Sequence, residues 1–417
     1  MNVPARRRIA YVASQFPKLT ETFILREVME MERQGFVVSL FSIRPRPVGR
    51  LHAAALPYLE KTHYAPWFGL AHVGAFLSLA SRRPVGVARG MAFLVRECIA
   101  HARFPLVIVK TMVCTPKIFL FTRQMERDGV AHVHGHFANY PTTLAVFASR
   151  VLGITCSFTG HAWDIFVPFN QAGLAAKIAE AEFVATCTGF NARLLSSLCH
   201  DADRDKIMLN HHGLDLTEYV PAAERDSDRI MAGGSLVEQK GLGYLVDAAA
   251  LLRDRGFSFR IEIVGDGPLF GELSERINQH QLMHFVALVG SMPHEELSAR
   301  MRTAAMFVLP SVETTDGFMD GIPNILIESL ALAVPVVSSR LSGIPELVVD
   351  GETGLLVEQR SVAPLADALE SLLRNPDRGR EMGRAGRARV ETMFDLGRNV
   401  NRLVERFVGI LESRNAG

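Results

Sequence analysis

The 417-residue sequence is poor in the residues that staple or metallate a fold. Its five cysteines (Cys98, Cys114, Cys156, Cys187, Cys199) are odd in number and never spaced C-x-x-C. That argues against a disulfide framework or a structural zinc site, and for a reducing cytoplasm. There is no G-x-x-x-x-G-K-[ST] phosphate loop and no G-x-S-x-G nucleophile elbow. No apolar run reaches the ~18 to 20 residues that span a bilayer. The longest, "APWFGLAHVGAFLSLA" (65–80), contains His72 and stops short of Arg82 and Arg83. The start, "MNVPARRRIAYVASQFP", is basic, but the apolar run behind it is too short for a secretory leader. No repeat of 20 to 50 residues is visible.

What is present is a folded chain, 48% hydrophobic, and long enough for two domains of roughly 200 residues each. The net charge of +1 hides an asymmetry. Residues 1–170 carry 20 Lys+Arg against 9 Asp+Glu, and the remainder 25 against 35. Within 65–127, nine cations face two acids, interleaved with Trp67, Phe68, Phe76, Phe93, Phe104, Phe119 and Phe121. Such a composition suits helices resting on anionic lipid, and equally a solvated face over an ordinary core.

Hydrophobic periodicity alternates between strands and helices throughout, the pattern of doubly wound parallel sheets. "RIAYVAS", a helix from about Thr20 and "FVVSLFSI" make a βαβ unit, followed after the basic helical region by "VAHVHGHF", "ITCSFTG", "AEFVATCT" and "KIMLNHHGLDL". The first domain is therefore predicted over 1–216. "TEYVPAAERDSD", polar and aperiodic, predicts a linker over 217–228. Alternation restarts with "RIMAGGS" and continues through "FRIEIVGDG", "HFVALVGS", "AAMFVLPS", "VPVVSS" and "GLLV", predicting a second α/β domain over 229–388. "VETMFDLGRNVNRLVERFVGILES" predicts one long amphipathic helix in the terminal segment 389–417. A ligand of two such domains is expected at the carboxyl ends of the strands.

The stretch "MDGIPNILIESLALAVPVV" (319–337) holds two acids in an apolar setting. A helix starting at Pro323 would present free amides suited to a phosphate or an oxyanion. Glu328 lies about one turn inside it, among Ile325, Leu326, Ile327, Leu330 and Leu332. A buried carboxylate needs a partner: an internal arginine or backbone group, or a ligand such as a ribose diol. Asp320, on the loop before the helix, faces whatever that helix points at. Gly233 and Gly234 end a strand before Lys240, and Gly265, Asp266 and Gly267 end the next, where glycines admit a phosphate and a lysine supplies charge. "HVHGHF" puts His132, His134 and His136 on one strand face, and "FTGHAWD" adds His161 and Asp164 on a loop. Alternating histidines can bind zinc, yet no acid or cysteine stands nearby in sequence, so no metal site is expected. "DADRD" (201–205) is read as chance.

These residues resemble the retaining glycosyltransferases of family 4, with the two-domain GT-B fold, over nearly the whole chain. The likeness is strongest in "FVLPSVETTDGFMDGIPNILIESLALAVPVVSSRLSGIPELVVDGETGLLV" (307–357). It implies that Glu328 binds the ribose of a UDP- or GDP-sugar, and that Asp320 lies against the donor sugar with Gly321, Ile322, Pro323 and Asn324. It also implies that Lys240 serves the diphosphate beside Gly233, Gly234 and Ser235, that Gly265, Asp266 and Gly267 form the nucleotide loop, and that His161 stands beside the transferred sugar. "LTETFILREVMEME" is similar to the subgroup that builds bacterial exopolysaccharides of the colanic acid type, which puts Thr20, Glu21 and Thr22, with His136 and Asp164, on the acceptor side. The terminal helix is expected to brace the first domain. The resemblance further implies a metal-independent enzyme without cofactor, working on a lipid-linked acceptor at the cytoplasmic face of the inner membrane, with no nucleic acid. The chain departs from the family at Asp320, where glutamate is usual, and at Ser235, where an arginine is usual. Those departures keep a non-catalytic nucleotide-sugar-binding partner open as a rival reading, with an epimerase as a third.

Overall fold

The computed structural model describes residues 8–18, 21–49 and 53–413. The chain divides into two compact units, 1–213 with 396–417, and 214–395.

The first unit is built on a parallel sheet whose seven strands are β1 (Arg8–Ala13), β2 (Val37–Ser42), β3 (Thr62–Tyr64), β4 (His132–His136), β5 (Thr155–Gly160), β6 (Val184–Thr186) and β7 (Ile207–Leu209). Their spatial order is β3-β2-β1-β4-β5-β6-β7. The second unit holds β8 (Arg229–Gly233), β9 (Arg260–Val264), β10 (Val286–Gly290), β11 (Met306–Leu309), β12 (Val336–Ser339) and β13 (Gly354–Val357), in the order β10-β9-β8-β11-β12-β13. Both are the 3-2-1-4-5 winding of a nucleotide-binding doubly wound fold. Each has its crevice where the order reverses, between β1 and β4 in one unit and between β8 and β11 in the other.

Parallel strands covered on both faces alternate their burial between two cores. From β1, Ala10 and Val12 enter a core shared with the helices Leu70–Arg82, Pro84–Ala100, Pro105–Asp128 and Tyr140–Leu152. Ile9, Tyr11 and Ala13 enter the opposite core, closed by the helices Thr22–Arg33 and Leu396–Ser413. That last helix belongs to the first unit and buries Val400, Leu403, Phe407 and Leu411, one stripe at helical spacing.

Three sequence expectations need correcting. The short edge strand β3 was not foreseen. The segment read as a linker from 217 is not a spacer: Tyr219 is 1% exposed within the second unit's core, and its carbonyl accepts from Arg387. The terminal segment is two helices, Pro376–Met393 and Leu396–Ser413, because the apolar Phe394 is buried in the second unit's core and turns the chain there. The units accordingly meet at 213/214 and 395/396 rather than at 216 and 388.

Candidate active site

In the second unit, Lys240 follows β8 and Asp320 follows β11, so the two stand astride the crevice. Lys240 Nζ lies 2.7 Å from Asp320 Oδ2, and both side chains are largely buried. Gly234 holds φ +124°, and a Cβ there would make ordinary contact with the lysine stem, 3.6 Å from Lys240 Cε. Gly265, at φ +139°, is more tightly bound, since its Cβ would fall 1.8 Å from the Gly234 carbonyl oxygen. Backbone bonds from Gly234 N to Val264 O and from Leu236 N to Asp266 O (both 2.9 Å) zip the two loops together. Only glycine permits this approach, because both backbones occupy conformations that a Cβ disfavours. A Cβ on Gly233, at the end of β8, would fall 2.3 Å from the Val264 carbonyl oxygen. Asp266 turns its carboxylate onto its own loop and accepts from Gly267 N at 2.7 Å. Val312 N donates to Gln239 O at 3.0 Å, tying the loop after β8 to the one that carries Asp320.

The helix expected to start at Pro323 runs from Asn324 to Ala331, with Pro323 as its cap and Gly321 and Ile322 on the loop before it. Glu328 is buried on that helix, as its apolar setting demanded. Among the described residues its partner is neither an arginine nor the backbone. His294 Nε2 stands 3.4 Å from Glu328 Oε2, and the Tyr219 hydroxyl lies 3.4 Å from the same His294 nitrogen. The Glu328 side chain keeps 10% exposure, enough for a ligand hydroxyl to reach it. Ser235 is exposed and brings no charge. Arg360, after β13, lines a cavity of about 320 Å³ with Gly241, Leu242 and Val312, and it holds the left-handed φ of +62° that side chains rarely adopt. Sequence reasoning missed both His294, which opens the helix His294–Met301, and Arg360, in the turn after β13.

In the first unit the chemistry is carried by side chains. The histidines of β4 interleave with the hydroxyls of β5. His132 contacts Thr155 Oγ1 and Ser157 Oγ (both 2.7 Å), and His134 contacts Ser157 Oγ at 2.7 Å and Thr159 Oγ1 at 2.9 Å. His136, at the mouth of the strand, lies 3.3 Å from Glu27 Oε1 and 3.4 Å from His161 Nε2. His161 Nδ1 lies 3.1 Å from His212 Nε2, and Phe23 stacks on His212 with centroids 4.2 Å apart. Burial pushes His134 and His161 well below the ordinary histidine range, and the neighbouring imidazoles push further. Both are therefore neutral, and a chain of such rings works only if each donates from one nitrogen and accepts at the other. Burial alone would raise the Glu27 carboxyl, but His136, Tyr11 and His212 outweigh it and leave it below its usual value. The Tyr11 hydroxyl donates to Glu27 at 2.7 Å and is itself pushed well up, by burial first and then by Glu27.

Ligand atoms of Glu27, His134 and His136, and those of His161, Cys187 and His212, fall within 4.8 Å of one another. Both ring nitrogens of His134 are already spent on hydroxyls, and those of His161 face two other imidazoles.

Asp164, expected on the acceptor side, is fully buried and accepts from the backbone N–H groups of Ala138 (2.7 Å), Ala162 (2.9 Å) and His161 (3.1 Å). Its desolvation raises the carboxyl even against those donors. It thus fixes the backbone that carries His161. Glu21 pairs with Lys18, and Thr22 opens the helix Thr22–Arg33; Thr20 lies outside the described residues. Phe137, next to His136, holds φ +78°, a strained conformation for a bulky residue, and packs 4.5 Å from the His161 ring. Such strain is tolerated mostly at functional sites.

Comparison with known proteins finds glycosyltransferases. Residues 227–375 match the family model described as glycosyl transferases group 1. The chain is 27% identical over 402 residues to the amylovoran biosynthesis glycosyltransferase of Erwinia amylovora, covering 93% of this chain and 96% of that protein. It is also 27% identical over 380 residues, 87% of this chain and 89% of the other, to a glycosyltransferase assigned to colanic acid biosynthesis in Escherichia coli (strain K12). Its fold matches that of HepE from Anabaena, solved in complex with UDP-glucose, with a TM-score of 0.68 and 15% identity over 96% of this chain and 99% of that one.

Proposed function

Because residues 227–375 form a group 1 glycosyltransferase domain in a chain of GT-B fold, we propose that the protein transfers a hexosyl unit in bacterial exopolysaccharide biosynthesis. The donor is a UDP- or GDP-sugar and the acceptor a growing, lipid-linked oligosaccharide at the cytoplasmic face of the membrane. The observation that carries this reading is the crevice of the second unit, where glycine loops packed backbone to backbone flank the Lys240–Asp320 pair at 2.7 Å.

Lys240 supplies a fixed positive charge for the diphosphate, and the amides at the start of the Asn324–Ala331 helix add partial charge of the same sign. Together they take the place of a divalent ion. As the anomeric carbon's bond to the diphosphate breaks, the acceptor oxygen forms its new bond on the same face and its proton passes to the departing diphosphate. Configuration is retained and no protein nucleophile is consumed. Glu328 receives the ribose hydroxyls, and Asp320 orients Lys240 and meets the sugar. Neutral His161, its two ring nitrogens facing His136 and His212, stands beside the transferred sugar as an uncharged ring.

The test incubates purified protein with labelled UDP- and GDP-sugars and a bacterial lipid extract, with and without chelator, beside Glu328→Ala. Transfer by the wild type that survives chelation and falls at least about tenfold in the variant is expected, since charged hydrogen bonds contribute ~1.5–3 kcal/mol each. Loss of transfer on chelation would overturn the metal-free mechanism. Donor binding without transfer to any lipid would favour a non-catalytic partner.

A further inference from the structure

The three consecutive helices Leu70–Arg82, Pro84–Ala100 and Pro105–Asp128 turn an unusual face to solvent. On the second, Val85 (62% exposed), Val95 (55%) and Ile99 (70%) lie on the side away from the core. On the third, Leu106 (73%), Val109 (57%) and Met112 (60%) do the same. Buried residues on the same helices, such as Phe93, Leu94 and Ile118, already satisfy the core, so this second apolar stripe is surplus to folding. At the bend between the two helices Phe104 meets Phe169, which meets Trp163, extending the apolar surface with aromatic rings.

Cations are set among these residues at intervals of seven: Arg89, Arg96, Arg103 and Lys110, all exposed and none in an ion pair with a described residue. The matching anions are missing. Between Lys61 and Met125 the only carboxylate is Glu97, which is buried against Lys177 at 3.0 Å. Glu126, just beyond, is engaged by Arg82 and Arg83. An ordinary solvated face interleaves both signs; this one offers apolar side chains and uncompensated positive charge alone.

We infer that this face docks the enzyme on an anionic phospholipid bilayer, with Ile99, Leu106 and Val109 entering the headgroup boundary and the four cations meeting lipid phosphates. A lipid surface supplies both features at once, an apolar layer beneath a sheet of negative charge. The inference rests on the proposed lipid-linked acceptor and gives it a location: the membrane that carries the acceptor is the one the first unit sits on. The terminal half of the Pro105–Asp128 helix, from Lys117 to Met125, is held in the core, so the helix lies on the bilayer and does not cross it.

The experiment is co-sedimentation of the full chain with phosphatidylcholine vesicles and with vesicles containing about 30% phosphatidylglycerol. Each is run for the wild type, Ile99→Asp with Leu106→Asp, and Arg96→Glu with Arg103→Glu. Every substituted position is exposed, and thermal unfolding together with UDP- and GDP-sugar binding checks that the variants fold. Expected is binding of the wild type to the anionic vesicles only, weakened by salt, and a loss of about tenfold or more in each variant while donor binding is unchanged. Equal binding to neutral vesicles would overturn the electrostatic half, and undiminished binding by the aspartate variant the apolar half. Absence of vesicle binding, with a dimer that Ile99→Asp and Leu106→Asp convert to monomer, would replace the lipid by a second copy of the chain. Failure of transfer with vesicle binding intact would instead strike the proposed reaction.

Discussion

The two units wind their sheets in the same order and place their chemistry at the same reversal, yet they build it from opposite materials. The second unit uses backbone: glycines that let the loops after β8 and β9 touch, helix amides, and two largely buried charges, Lys240 and Asp320. The first uses side chains packed against side chains, a ladder of β4 imidazoles and β5 hydroxyls running into His136, His161 and His212. The difference suits what each is proposed to receive. A diphosphate needs donors and charge at an open loop, whereas a neutral sugar hydroxyl needs a neutral partner held still.

The sharpest way to break this contrast is Gly265→Val. With its Cβ forced onto the Gly234 carbonyl at φ +139°, the substitution should cost ~3 kcal/mol or more in urea unfolding and abolish UDP- and GDP-sugar binding. Unaltered stability would mean that these glycines are plain connectors. Asp164→Asn is the counterpart in the first unit. It turns an amide toward N–H groups that now meet a carboxylate, and should cost ~2 to 3 kcal/mol while donor affinity holds, because the second unit is untouched. A fall in donor affinity without loss of stability would show Asp164 acting on ligand after all.

Lys240→Met should weaken donor binding in calorimetry by at least about tenfold, the loss of one charged hydrogen bond. In a double-mutant cycle with Asp320→Asn the effects should not add, because the two side chains share a contact. Additivity would separate their roles. Stability should also depend on pH. His134 and His161 have folded pKa values below 6.5, so in acid the unfolded chain binds protons that the folded chain refuses. Their contribution is complete above about pH 6.5 and falls as pH drops, by up to ~1.4 kcal/mol per pH unit for each histidine. Glu27, depressed from 4.5, adds its own loss only further into acid. Denaturation from about pH 7 to about pH 5.5 should show the slope, and His134→Gln should flatten it. A flat wild-type profile would mean that the histidines are not held neutral.

Legibility in the sequence followed the same divide. In the second unit Gly233, Gly234, Gly265 and Lys240 announced themselves because a strand end and a glycine-limited φ are local properties. The Asn324–Ala331 helix was legible from its apolar residues and preceding proline, and its burial of Glu328 followed from that pattern. In the first unit the period of two put His132, His134 and His136 on one face, but that face could equally have held a metal. Only the neighbouring β5, whose Thr155, Ser157 and Thr159 fall in register with it, turns the histidines into a hydroxyl ladder. The backbone bonds of Asp164 were not legible, because nothing in "FTGHAWD" says that its carboxylate folds back onto the backbone.

By itself, then, the amino-acid order determined the strand and helix alternation, the positions of the glycine turns and the basic bias of the first 170 residues, since each depends on period, on one residue's allowed φ, or on counting charge. Tertiary structure alone decided which groups meet. Lys240 finds Asp320 across 80 positions, Glu328 finds His294, and His136 finds Glu27 and His161, because strands far apart in the chain become neighbours in the sheet. It also decided that Ile99 and Leu106 face outward while Phe93 and Ile118 fill the core. An apolar residue carries its cost of exposure in its composition, but the side of the helix on which a core forms is settled only when the remainder of the chain packs against it.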